Sequence, residues 1–99
     1  MNITVSESAV NWFKAEIELT KDQGIRFFGK IYGKTQVHDG FSIGMTVDTP
    51  ENVLAQEIIA ELTFFIEETD EWFFKGYDLF VDYDEQLFEP SYAFIATKS

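Results

Sequence analysis

Two rhythms of hydrophobic and polar positions run through this chain. The clearest is an alternation from Phe41 to Asp48. Phe41, Ile43, Met45 and Val47 stand on one side, with Ser42, Gly44, Thr46 and Asp48 on the other. A period of two predicts a half-buried strand with the first set inward. Ile25 to Tyr32 is apolar in both phases: Ile25, Phe27 and Ile31 point one way, Phe28 and Tyr32 the other. Leu62 to Glu67 repeats this through Phe64 and Phe65. Both segments predict strands that need cover on two sides. Shorter strands are predicted at Ile3 to Val5, at Asp78 to Tyr83 and, after the Pro90 break, near Tyr92 to Ala96.

The helical rhythm appears between Ser6 and Leu19. Ala9, Val10, Phe13 and Ile17 make one apolar stripe, and Lys14 and Glu18 lie away from it. Ser6 is a suitable N-cap, Glu7 suits the positive end of the helix dipole, and Val5 and Val10 occupy staple positions. Asp22-Gln23-Gly24 predicts the turn that closes this unit. A second, short helical segment is predicted from Glu68 to Lys75. There Thr69 would cap, Asp70 and Glu71 would open the first turn, and Gly76 would end it. Gly33 to Gly40 reads as a polar loop, and Thr49-Pro50-Glu51-Asn52 as an interruption. Val53 to Ala60 fits neither rhythm. The expected fold class is mostly β with α (α+β): a β-sandwich of short mixed strands with an N-terminal helix and one short helical turn. At 99 residues the chain is expected to form a single domain, 1–99.

Composition supports a packed core, because 45% of residues are hydrophobic and eleven are Phe. Charge narrows the partners. The net charge is −11, and it is uneven. Residues 1–50 hold six acids and five bases, whereas residues 51–99 hold twelve acids and two bases, Lys75 and Lys98. A field of that sign repels phosphate backbones and anionic membrane surfaces, so neither nucleic acid nor membrane is expected as a partner. A protein partner with a basic surface fits better. A homo-oligomer is also expected to be possible, since strands aromatic on both faces need cover that a second chain could supply. No apolar run reaches the ~20 residues of a membrane helix, and Met1 to Val5 lack the features of a secretory signal. A cytoplasmic product is therefore expected.

Chemistry-bearing residues are few. There is no cysteine, and His38 is the one histidine. Asp39 beside it could orient the imidazole, but no nucleophile is placed in a strand–turn–helix elbow. Asp82, Asp84 and Glu85, with Glu67, Glu68, Asp70 and Glu71, could offer oxygen ligands to a hard cation. The run from Asp82 to Leu87 nevertheless lacks the acid and glycine spacing of an EF-hand loop. The alternative for all these acids is a solvated face. Phe64, Phe65, Trp72, Phe73, Phe74 and Phe80 could line a ligand pocket or simply form the core. Nothing reads as a Walker loop, a dinucleotide fingerprint or a zinc motif, and no enzyme activity is expected.

Ile3-Thr4-Val5 running into a helix, Gly40-Phe41-Ser42-Ile43-Gly44, Phe65-Ile66-Glu67 and Val81-Asp82-Tyr83 come one after another in an order that resembles the HesB/IscA family. That family comprises the A-type carriers of iron–sulfur cluster assembly, and the resemblance spans about residues 2–96. Carriers hold iron or a cluster on three cysteines. The first corresponds here to Lys34, counted forward from Gly33, or to His38, counted back from Gly40. The other two form a C-terminal Cys-Gly-Cys, whereas this chain reads Ala96-Thr97-Lys98-Ser99. The resemblance thus implies the fold without the ligands. The expected function is a non-catalytic domain without a cofactor, an accessory or interaction protein related to iron–sulfur assembly. A domain binding a metal through oxygen ligands, or a small molecule, is the competing expectation. Lys34, His38, Asp39, Asp82 and Asp84 are the positions expected to carry function.

Overall fold

A computed structural model describes residues 1–30 and 42–97. Strand β1 (Ile3–Val5) leads into helix α1 (Glu7–Glu16), and β2 (Gly24–Lys30), β3 (Ser42–Asp48), β4 (Val53–Ile59) and β5 (Leu62–Glu67) come next. A 3₁₀ turn at Glu68–Asp70 runs into the short helix α2 (Glu71–Phe74), and β6 (Tyr77–Asp84) and β7 (Glu89–Ala96) complete the order. The strands form two mixed sheets, one ordered β1-β6-β7 and the other β3-β2-β5-β4. Strand β1 runs parallel to β6, and β2 parallel to β5; the remaining neighbours are antiparallel. The expected α+β class, mostly β with two short helical elements, is the one observed.

Aromatic side chains join the layers. Phe13 of α1 meets Phe64 and Phe27 edge-on at 5.3 and 6.2 Å between ring centroids. Phe27 of one sheet meets Tyr92 of the other at 5.8 Å. Phe73 and Phe74 close on Phe94 at 5.8 and 6.0 Å. Phe13, Phe27, Phe64 and Phe73 are wholly buried. Burying one such ring contributes roughly 1.5–3 kcal/mol relative to leaving it in water. Gly29 is what lets Phe73 lie so close, since a Cβ there would stand 2.6 Å from that ring.

Several boundaries differ from expectation. Helix α1 stops at Glu16 rather than Leu19, because Ile17 is already extended (φ −124°, ψ 127°). From there Ile17 and Leu19 turn toward the core while Glu18 and Thr20 face water. The stripe that predicts a helical Ile17 is equally served by an extended one. Val53 to Ala60, which fitted neither rhythm, contains β4. Pro90 lies inside β7 instead of before it. That strand is the edge of its sheet, where a missing N–H costs no ladder bond. Thr69 does not cap a helix. It sits within the 3₁₀ turn, and its hydroxyl accepts from Arg26 at 3.5 Å.

In β3 the alternation holds in part. Ile43 and Met45 pack against the core, and Thr46 is exposed. Val47, expected inside, is 36% exposed. It pairs with Ile25 near the end of β3, the edge strand of its sheet. Gly44 is buried although it belongs to the polar phase, because the Phe28 ring lies over it. Phe41, Ile31 and Tyr32 lie outside the described residues.

Candidate interaction surface

Asp82 is held by two donors. The Ser6 hydroxyl donates to its Oδ1 at 2.7 Å and the Tyr83 N–H at 2.8 Å. Those bonds, the hydroxyl first, hold the carboxyl below the usual carboxylate range. The same Ser6 oxygen accepts from the Ala9 N–H at 3.2 Å, so the helix cap and the strand share one side chain. Asp84 works on a turn. Its Oδ1 accepts the N–H groups of Gln86 and Leu87 at 2.9 and 3.1 Å. Asp82 and Asp84 are thus close in sequence but engaged with different parts of the chain. Lys34, His38 and Asp39 lie outside the described residues. Among the described residues no group of three or more His, Cys, Asp or Glu is placed to hold a metal ion.

The aromatic residues considered as a pocket lining divide differently. Phe64, Phe65, Phe73 and Phe74 are buried, Phe80 is half-buried and Trp72 is 53% exposed. They are core, with one ring at the surface. Phe74 also borders a cavity of about 190 Å³ with Met1, Leu54 and Tyr77, and the other cavities are lined mainly by polar residues. One of about 270 Å³ lies beside Arg26, Asp48, Glu67 and Thr69. Arg26 spans it, with ion pairs to Asp70 at 2.8 Å and Asp48 at 3.3 Å. Chiefly through the hydrogen bond that Asp70 accepts from it, these acids raise the guanidinium pKa above its usual value. Glu67 is nearly buried and accepts the N–H groups of Glu51 and Asn52 at 2.8 and 2.9 Å. These carboxylates fasten the Thr49–Asn52 connection and the 3₁₀ turn to the sheet. Their donors are already supplied from within the chain.

A different part of the surface is apolar. Asp84 pairs with Glu89, so β6 and β7 are joined by a tip of four residues, Glu85 to Phe88. Leu87 is 64% exposed and Phe88 74%. Phe88 has φ 55°, in the left-handed region. Turns of this length favour Gly or Asn there, and another residue costs roughly 1–2 kcal/mol. The Asp84 carboxylate fixes the turn from the other side through its two backbone donors. Asp84, Glu85 and Glu89 flank the apolar pair, and residues 76–97 contain no Lys or Arg. The tip is therefore a braced hairpin end with a large ring set in an acidic field. In the sequence this segment is weighed only for its acids, as oxygen ligands and as an EF-hand loop from Asp82 to Leu87. Its signal was an apolar pair, Leu87-Phe88, bracketed by acids and belonging to neither rhythm.

Comparison with known proteins sets this geometry in a family. No family model matches the chain. No solved structure matches it either. The chain is 39% identical over 94 residues to a Bacillus subtilis protein named "Pyruvate dehydrogenase inhibitor", covering 95% of this chain and 99% of that one. It is also 39% identical to an uncharacterised protein of Staphylococcus saprophyticus, over 94% of this chain and 98% of the other. An uncharacterised Staphylococcus aureus protein is 32% identical over the same shares. These findings overturn the HesB/IscA resemblance and the link to iron–sulfur assembly drawn from it. The matched pieces were three to five residues long, and small α+β proteins of many families share such an order of elements. Identity along nearly the whole of both chains is the stronger evidence, and the chain belongs to the family of the Bacillus subtilis pyruvate dehydrogenase inhibitor.

Proposed function

We propose that this protein is a non-catalytic regulator that restrains pyruvate dehydrogenase by binding to it. The observation that carries this reading is the 39% identity to the named inhibitor across 95% of one chain and 99% of the other. An inhibitor of an enzyme needs a contact surface rather than a reactive centre. The acidic half and the exposed apolar tip of the β6–β7 hairpin are features of such a surface. The charge selects a basic contact region on the partner. It also disfavours self-association through this face, because two copies would bring like charges together. Action on that enzyme requires both proteins in one compartment, which we take to be the cytoplasm.

The test is a titration of purified pyruvate dehydrogenase complex with the purified chain, following pyruvate oxidation. Inhibition should reach its plateau at a fixed ratio of chain to enzyme, develop on mixing and reverse on dilution. Co-sedimentation should show the complex, and raising salt should weaken it. An unaffected oxidation rate with no co-sedimentation would sink this reading. Inhibition that persists after the chain is removed, at a chain-to-enzyme ratio far below one, would indicate catalysis instead of contact.

A further inference from the structure

We propose that Leu87 and Phe88, at the tip of the β6–β7 hairpin, are the anchor of this contact. They enter an apolar pocket rimmed by Lys or Arg side chains on the pyruvate dehydrogenase partner. The anchor presupposes the inhibitory contact proposed above and adds where on the chain it is made.

Three observations on the hairpin converge. Among the described residues, Leu87 and Phe88 show the highest exposures of the large hydrophobic side chains, 64% and 74%. Buried aromatic rings at the centre of an interface carry a large share of binding energy, and an exposed one on a soluble protein is costly to solubility. Second, the backbone at Phe88 adopts φ 55°, which glycine would occupy without strain. A bulky ring at such a position serves neither the turn nor the core. Strain of this kind collects where side chains are displayed for function. Third, the tip is held ready. Asp84 accepts from the Gln86 and Leu87 N–H groups, and the flanking strands pair continuously from Tyr77–Ala96 to Asp84–Glu89. A braced anchor loses little freedom on binding, which favours affinity.

The charges around the tip choose the occupant. Asp84, Glu85 and Glu89 border the anchor directly, and Asp78 and Asp82 lie further along β6 with no base between residues 76 and 97. A basic rim around an apolar pocket complements that arrangement. A second copy of this acidic hairpin or an anionic membrane does not.

Phe88→Gly separates binding from folding, because it removes the ring and relieves the positive φ together. Leu87→Ser gives a second probe, and the double variant Glu85→Lys/Glu89→Lys tests the rim. Thr46→Ala, on the exposed side of β3, serves as a control. Binding to the purified pyruvate dehydrogenase complex is measured by co-sedimentation and by inhibition of pyruvate oxidation, with circular dichroism and melting temperature recorded for each variant. Phe88→Gly should melt no lower than the wild type yet bind about 10- to 100-fold more weakly. Leu87→Ser should weaken binding in the same direction, the Lys variant should weaken it and flatten its salt dependence, and Thr46→Ala should bind as the wild type does. Wild-type binding left within twofold by Phe88→Gly and Leu87→Ser would overturn the anchor while leaving the inhibitory contact in place. No wild-type binding at all would overturn both. A wild-type dimer that Phe88→Gly turns into a monomer, or lipid-vesicle binding lost in that variant, would assign the tip to another occupant and overturn the anchor.

Discussion

The Ser6 hydroxyl closes the first turn of α1 and ties it to β6 through Asp82. Ser6→Ala should therefore cost about 1 kcal/mol from the lost cap, read as a lower denaturation midpoint. It should also change the pH profile. Asp82 has a folded-state pKa below its unfolded one, so its stabilising effect is present above about pH 4 and disappears as pH falls through the folded value. In Ser6→Ala that acid-side loss should shrink. Tyr92 should contribute on the alkaline side. Burial, aided by the charge of Glu89, pushes its phenol from 10.0 up to about 12. The neutral form is favoured in the folded protein, so stability is complete below about pH 10 and is lost as pH rises toward 12. A gap of that size corresponds to about 2–3 kcal/mol. Tyr92→Phe should flatten the stability curve over this window, and an unchanged alkaline limb would show that Tyr92 does not contribute to it.

Elements are joined here by turns whose residues do not announce them. Strands β4 and β5 form a hairpin with Ile59 opposite Leu62, and Ala60 and Glu61 between them have φ 51° and 70°. Two positive φ values in a two-residue loop mark a type I′ turn, which favours Asn-Gly. Glu61→Gly should stabilise the protein by about 1 kcal/mol, raising the melting temperature by roughly 4–8 °C. A lower melting temperature would mean that Glu61 makes a compensating contact. Close approach of elements has the opposite sensitivity. Gly29→Ala would drive a methyl group into the buried Phe73 ring, which is also packed against Phe74 and Phe94. It should destabilise by about 1–3 kcal/mol through overpacking, measurable by urea unfolding. An unchanged midpoint would mean that the α2 segment moves aside freely.

At the scale of the whole molecule, charge opposes compactness. Residues 51–99 contribute ten more acids than bases, and the ion pairs of Arg26 with Asp48 and Asp70 offset little of that excess. Repulsion should weaken the native state at low ionic strength. Adding NaCl from 0.01 to 0.1 M shortens the Debye length from ~30 to ~10 Å, and the melting temperature should rise. At matched ionic strength Ca²⁺, Mg²⁺ and Mn²⁺ should act alike. A large shift from one of them, lost in Asp84→Asn, would mark specific binding by mass action instead of screening.

Local chemistry was enough to place some features from the amino-acid order alone. The Ser6 cap, the buried faces of Ala9, Val10 and Phe13, and the strand Leu62 to Glu67 each rest on neighbours within a turn or on a period that burial enforces. The α+β class was legible for the same reason. Strand β4 was not, because Ala60-Glu61 carries no turn signal and the strand's polar and apolar residues keep no clean alternation. Val47 could not be placed either, since its exposure goes with a place near the end of a strand that only the sheet order makes an edge. The acids Asp82 and Asp84 were legible as a cluster. Only the tertiary structure separated them, giving one to Ser6, 76 residues away, and the other to a turn. The hairpin tip shows the same limit. Its residues stand in plain view in the sequence, but the exposure of Phe88 and its positive φ arise only when β6 and β7 pair and force four residues to close the bend. Local pattern sets which segments bury a face. The long-range register of two sheets decides which apolar residues remain outside, available to a partner.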